Sequence, residues 1–317
     1  MKAIWLEDKQ IELRENLPVP APKSGEALVK VLKAGICNTD LELVKGYYPY
    51  RGIIGHEFVG VVEQGSQQLK NQRVVGEINA SCGNCDYCLG GIKTHCPNRT
   101  VLGIVNRHGA FAQYLTLPIE NLHIVPSNVK TEVATFTEPI AAALQIQQQI
   151  SITPKTKVLV VGDGKLGLLV AQTLSLRGCD LQVIGRHQDK LDLLKELGIN
   201  TNLEAIAIER KFDVAIECTG NSAGFELARF ALKPRGTLIL KSTYAGKLKL
   251  DASALVVDEI TVLGSRCGPF DLALQLLAEN RLNIEPMISG SYELSDGLSA
   301  FSHAQKRGTL KILLDVN

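Results

Sequence analysis

Residues 158–167, Val-Leu-Val-Val-Gly-Asp-Gly-Lys-Leu-Gly, constrain the fold more than any other ten in the chain. Val158 to Val161 form an unbroken apolar run, as expected of a strand covered on both faces. Gly162, Gly164 and Gly167 follow as G-x-G-x-x-G, and residues 166–176 read as a helix ending at Gly178. The rhythm then repeats. Residues 181–184 read as a strand, and 190–197 as a helix with Gly198 at its C-terminal cap. Further strands are expected at 212–218, 237–240 and 260–263. A last helix is expected at 271–279, with Leu272, Ala273, Leu276 and Leu277 on one face. Strands alternating with helices are the pattern of a doubly wound parallel sheet, so the chain belongs to the α/β class.

A glycine-rich turn between a buried strand and a helix is the Rossmann fingerprint for a dinucleotide. Gly162 permits the tight turn, Gly164 admits a pyrophosphate close to the backbone, and Gly167 lets helix and strand pack closely. Lys165 and Leu166 open the helix whose N-terminal amides face the phosphates. NAD-binding folds end their second strand in an acidic residue that holds the ribose 2′-hydroxyl. Here Gly185 takes that place, followed by Arg186, His187 and Lys190. No carboxylate is then expected to be present to repel a 2′-phosphate, and a guanidinium can bind one bidentately. NADP is therefore expected over NAD, and Arg266 joins the expected cofactor-binding residues.

The first 130 residues look different. Stretches 27–32 and 59–62 read as short strands, punctuated by Pro18, Pro20, Pro22, Gly25, Gly35 and Gly46. A chain of 317 residues is long enough for about two domains. Its net charge of +1 gives no reason to expect nucleic acid or an anionic membrane as partner. No apolar run approaches the ~18 residues needed to cross a bilayer. The N-terminal segment meets acidic residues too early for a signal peptide, so a cytoplasmic protein is expected.

Four of the eight cysteines, Cys82, Cys85, Cys88 and Cys96, are spaced C-x2-C-x2-C-x7-C. Four thiolates this close can close a tetrahedral shell around a structural zinc. Cys179, Cys218 and Cys267 read as core or loop thiols. Upstream, Gly35-Ile36-Cys37-Asn38-Thr39-Asp40 and Gly55-His56-Glu57-Phe58-Val59-Gly60 offer thiolate, imidazole and carboxylate beside glycine turns. Three protein ligands and an open position are what a catalytic zinc requires.

With Thr137-Glu138-Pro139-Ile140-Ala141 and the glycine fingerprint, these motifs resemble, in order and over essentially the whole length, a zinc-dependent medium-chain dehydrogenase/reductase. The similarity is to the polyol, sugar and threonine branch of the alcohol dehydrogenase superfamily. It implies a mostly-β GroES-like catalytic domain over 1–137, with 284–317 returning to it and a structural zinc lobe. The Rossmann domain would occupy 138–283. It implies two zinc ions per chain: one on the four cysteines, and a catalytic one at Cys37 and His56, completed by Glu57 or Glu138. Thr39 would take the proton of an alcohol as hydride passes to the nicotinamide. Relatives carry a relay histidine three residues beyond that hydroxyl, and here Glu42 or ordered water replaces it. Tyr47, Tyr48, Asn106 and Arg107 lie in stretches that could line the substrate site. The implied substrate is a secondary alcohol, polyol or sugar-like molecule, with a threonine-type amino alcohol as the alternative. A homodimer or homotetramer is expected, with residues 260–268 as a contact edge. A zinc-ribbon nucleic-acid binder explains the cysteines but not Cys37, His56 or the glycine fingerprint. A catalytically silent relative is hard to square with Cys37, Thr39 and His56 all in place.

Overall fold

The computed structural model describes residues 1–316 apart from 205–207, 244–247 and 249. The chain divides into two units: Met1–Glu138 with Phe270–Asn317, and Pro139–Pro269.

In the second unit, Val158, Leu159, Val160 and Val161 are all buried, as an apolar strand covered on both faces must be. Lys157–Val161 pairs in parallel with Asp180–Gly185 on one side and Phe212–Glu217 on the other. Asn200–Leu203 extends the first side, and Leu232–Leu240 and Thr261–Gly264 extend the other. Among the described residues the six strands lie in the order third, second, first, fourth, fifth, sixth. The order reverses between Lys157–Val161 and Phe212–Glu217. At such a switch point the carboxyl ends of the strands open a crevice for a ligand. The helix Ser222–Ala231 buries Phe225, Ala228 and Ala231 against Leu159, Ala215 and Leu238 of the sheet.

The first unit is built on one long strand, Glu26–Ile36. It pairs antiparallel with Glu57–Gln64, Tyr114–Pro118 and Lys311–Asp315. The last of these, beside Ile288–Glu293, brings the C-terminal segment into the N-terminal sheet. Register then sets up chemistry, because Gly35 lies opposite both Glu57 and Leu313.

In the first unit the chain resumes at Phe270. The helix Phe270–Ala278 is tied there by His123. Its ring stacks on Phe270 at 5.3 Å, its Nδ1 lies 2.6 Å from Asp271 Oδ1, and its Nε2 lies 3.1 Å from Glu77 Oε1. Asn128 Nδ2 adds a hydrogen bond to the Ala278 carbonyl at 2.8 Å.

Burial pulls the His123 pKa down, but hydrogen bonds to Glu77 and Asp271 outweigh it and raise the pKa above its ordinary value. A raised folded-state pKa stabilises fully below the unfolded value and is lost as pH rises through the folded one. His123→Gln should therefore cost more stability at about pH 5 than at about pH 9. The expected difference is about 1 kcal/mol. Urea unfolding at the two pH values checks it, and equal costs would remove the charge-dependent clasp.

Candidate active site and metal centres

Cys37 directly follows the long strand and caps the N-terminus of the helix Asn38–Lys45, where the helix dipole favours an anionic group. Asp40, fully buried, holds two parts of the site at once. Its Oδ2 accepts the Cys37 N–H at 2.9 Å, and its Oδ1 lies 3.1 Å from His56 Nδ1. A histidine fixed through Nδ1 presents Nε2 for metal ligation. Ligand atoms of Cys37, His56 and Glu57 all lie within 4.8 Å of one another. Burial works against a charged His56, but Asp40 and Cys37 outweigh it and hold its pKa well above the ordinary value.

Glu57 and Lys311 form a buried ion pair directly beside this cluster, 0% and 1% exposed. Gly35 leaves room for it: a Cβ there would sit 2.5 Å from Glu57 Oε2 and 3.3 Å from Lys311 Cδ. Lys311 Nζ also lies 5.5 Å from the centre of the Phe136 ring. Its desolvation is outweighed by Glu57, Cys37 and Glu138, which hold its pKa above the usual lysine value. Only one oxygen of Glu57 meets Lys311. Glu57 Oε1 is buried with no hydrogen-bond partner among the described residues. An orphaned carboxylate oxygen is costly unless something positive meets it. The donor set of thiolate, imidazole and carboxylate suits zinc.

The four-cysteine lobe fits a metal on a different criterion. Its sulfurs are separated by 3.5 Å (Cys82–Cys96 and Cys85–Cys88), 3.7 Å (Cys85–Cys96) and 4.0 Å (Cys82–Cys88). Zinc–sulfur bonds of about 2.3 Å give a tetrahedron with edges of about 3.8 Å. None of the four is in a disulfide. The Asn84 N–H is the largest influence lowering the Cys82 thiol, to about 6.

Thr39 Oγ1 lies 3.7 Å from Cys37 Sγ, beside the cluster. Glu42 follows one turn later on the same helix, its carboxylate 2.7 Å from Lys45 Nζ. Glu138 opens the helix Thr137–Gln149. It is not part of the Cys37–His56–Glu57 group, although its charge reaches Lys311. Arg107 is not available to a substrate. Its guanidinium is spent on Thr100 Oγ1, the Thr116 carbonyl and Glu26, at 2.7–3.0 Å. Tyr47 and Tyr48 are exposed after the helix cap at Gly46.

The glycine loop fits a dinucleotide. Gly162 has φ +119°, the space beside Gly164 is open, and any Cβ at Gly167 would run into the Gly162 carbonyl. Lys165 and Leu166 start the helix Lys165–Ser175. The expectation that no carboxylate stands near the end of the second strand needs correction. Asp163 Oδ2 accepts the N–H groups of Arg186 and His187 at 2.7 and 2.6 Å, and the Arg186 guanidinium pairs with both oxygens of Glu204. Burial works to raise the Asp163 carboxyl, but the donors from His187 and Arg186 hold it below the usual range. Lys190 is 6% exposed, and its ammonium makes no hydrogen bond or ion pair among the described residues. Arg266 is exposed, and its carbonyl accepts from Lys241 Nζ at 3.0 Å. That ammonium also meets the Ala142 carbonyl at 2.6 Å and Ser265 Oγ at 3.4 Å.

Sequence reasoning gave no role to Asp40, Lys311 or Asp163. Asp40 stood inside the Cys37 motif, where an acid three residues after a helix N-cap is a capping signal. Lys311 could have been noticed as a cation heading an apolar strand, Lys311–Asp315. Asp163 occupies a variable position of the glycine fingerprint, where nothing local announces its partners.

Comparison with known proteins shows the family. Residues 23–127 match the alcohol dehydrogenase GroES-like domain, and residues 166–279 match the zinc-binding dehydrogenase domain. The chain is 30% identical to the sorbitol dehydrogenase of Halalkalibacterium halodurans, over 95% of this chain and 94% of that one. The chain belongs to the zinc-type medium-chain dehydrogenases. As a member of that family it is an oxidoreductase acting on CH–OH groups, with zinc and a nicotinamide cofactor. The D-arabitol-phosphate dehydrogenase of Enterococcus avium is 29% identical over 95% of this chain and 93% of its own. A zinc-binding dehydrogenase from Sinorhizobium meliloti 1021, solved bound to NADP, superposes with a TM-score of 0.89. It shares 29% identity and covers 99% of this chain and 98% of its own.

Removing Lys311 should strand Glu57 as a buried, unpaired charge. Lys311→Met is expected to lower the unfolding free energy by about 3–5 kcal/mol. Adding Glu57→Gln to that variant should recover much of the loss. Denaturant unfolding of the two singles and the double measures this coupling, and additive losses would mean the pair contributes nothing as a pair.

Proposed function

We propose that this dehydrogenase interconverts a secondary alcohol of a polyol or sugar-like substrate and its carbonyl counterpart, with two zinc ions per chain and with NADP preferred to NAD. The observation that carries the proposal is the buried Cys37–His56–Glu57 group, with Asp40 behind the imidazole and Glu57 Oε1 left without a partner.

Cys37, His56 and Glu57 would hold the catalytic zinc, with Glu138 close enough to act on the same region through Lys311. A zinc ion bound there polarises the substrate oxygen and eases loss of its proton. Thr39 is the hydroxyl beside Cys37 that takes this proton, and Glu42, three residues further on one helix face, passes it towards solvent. Lys311 orients Glu57 through their ion pair, and Asp40 keeps the His56 ring in place. Cys82, Cys85, Cys88 and Cys96 would hold the structural zinc. Gly162, Gly164, Lys165, Leu166 and Gly167 cradle the dinucleotide, with Gly185 at the adenosine end and Arg266 on the other flank. Arg186, His187 and the buried Lys190 are the cations for a 2′-phosphate, and the NADP-bound relative supports that choice. The polyol substrate class rests on the sorbitol and arabitol-phosphate relatives.

A homodimer or homotetramer is supported by the edge strand Thr261–Gly264, with Val262 43% exposed and Val256 and Val257 of the preceding helix 75% and 81% exposed. A cytoplasmic location is supported by eight cysteines outside any disulfide. No helix among the described residues is long and apolar enough to cross a membrane.

Elemental analysis should return about two zinc per chain. Cys37→Ser should lose one zinc and turnover while keeping the fold, and Cys88→Ser should lose the other zinc and mainly stability. A panel of polyols, sugars, simple alcohols and threonine with both cofactors tests the substrate class. Turnover confined to threonine, or undiminished in Cys37→Ser, would contradict the proposal.

A further inference from the structure

The second strand of the nucleotide-binding sheet ends without the acidic side chain that usually reads the cofactor's ribose, yet a carboxylate occupies that space. It comes from Asp163 in the glycine loop. An ideal Cβ built on Gly185 would lie 2.5 Å from Asp163 Cβ and 2.6 Å from its Oδ2. No side chain fits at 185 while Asp163 holds this position. The carboxylate is turned inward and is 7% exposed in total. Its Oδ2 takes the backbone N–H groups of Arg186 and His187 at 2.7 and 2.6 Å, and His187 Nδ1 lies 3.0 Å from the same oxygen and 3.2 Å from Oδ1. So the negative charge is saturated by the turn beneath it and is not presented to a ligand.

Two basic side chains leave that turn. His187 is held by Asp163, and Arg186 is directed outward, 52% exposed, onto Glu204. Four residues after Arg186, Lys190 lies on the helix that follows the turn, Gln188–Lys195, with its side chain largely packed away, 6% exposed.

We propose that Asp163 is a positioning residue for recognition of the cofactor's 2′-phosphate: by fixing the Gly185–Arg186–His187 turn it aims Arg186 and His187, beside Lys190, at that group. The inference rests on the NADP preference proposed above. Asp163 thereby replaces a ribose-reading acid by a buried one that organises cations. Glu204 is the carboxylate that the phosphate must displace from Arg186.

The test is calorimetric titration of the zinc-loaded protein with adenosine 2′,5′-bisphosphate and with 5′-AMP, which differ only in the 2′-phosphate. The readout is the ratio of the two dissociation constants. Wild type should favour the bisphosphate by at least about tenfold. Asp163→Ala should lower that ratio about tenfold, and Asp163→Asn, which keeps an acceptor oxygen, about threefold, with 5′-AMP affinity held within about twofold. If the alanine variant does not fold, the asparagine variant decides. An unchanged or increased ratio in a folded variant overturns the role of Asp163. A parallel loss of both ligands, which leaves the ratio unchanged, has the same consequence. No wild-type preference for the bisphosphate overturns the NADP preference itself, and the positioning role with it.

Discussion

The buried pair of Lys311 and Glu57 joins the last strand of the chain to the residue after His56. Such pairs add little net stability, because desolvating two charges offsets most of their attraction. Their strength lies in selecting one arrangement. With Lys311 in place, Glu57 must lie opposite Gly35, and Lys311–Asp315 must pair with the long strand. If either shifts, a charge is left alone in the core. The geometry of the first unit and the aim of Glu57 are thus a single constraint, and Gly35 is a glycine because the pair needs the space a side chain would fill.

Around that constraint the charges form a hierarchy. Asp40 is satisfied by a backbone amide and an imidazole, and Lys311 by one oxygen of Glu57. In the proposed reading, the remaining oxygen of Glu57, the Cys37 sulfur and the far nitrogen of His56 would share one zinc ion. The four-cysteine lobe would hold the other with four sulfurs near tetrahedral spacing, a shell with no open position. The first centre would then keep room for chemistry and the second would brace its lobe.

Most of the parallel sheet was legible because its inner strands are apolar runs and its fingerprint glycines are close in sequence; the polar edge strand Asn200–Leu203 carries no such signal and was not expected. The four-cysteine centre was legible for the same reason, since its ligands fall within fifteen residues. The Cys37–His56–Glu57 group was only half legible. Cys37 and His56 could be placed by their motifs, but Lys311 lies 254 residues from Glu57, and only strand register brings them together. The choice between Glu57 and Glu138 could not be made from types and spacing, whereas the close group contains Glu57 alone of the two. The contacts of the helix Phe270–Ala278 were not legible, because an apolar face names no partner. Its partners, His123 and Asn128, are about 150 residues away. Gly185 shows in the sequence that no acid ends the second strand, but nothing local revealed that Asp163 places a carboxylate beside it.

The central claim is that Glu57, held by Lys311, turns its free oxygen to the cation shared by Cys37 and His56. Competition between a chelator and the holoprotein measures it directly, with the two zinc ions followed separately as they leave. In Glu57→Gln the more labile zinc should be lost with an affinity about ten- to a hundredfold weaker than in the parent protein. The zinc of the four-cysteine lobe should be unaffected. Equal retention of both ions in the variant and the parent would contradict the account.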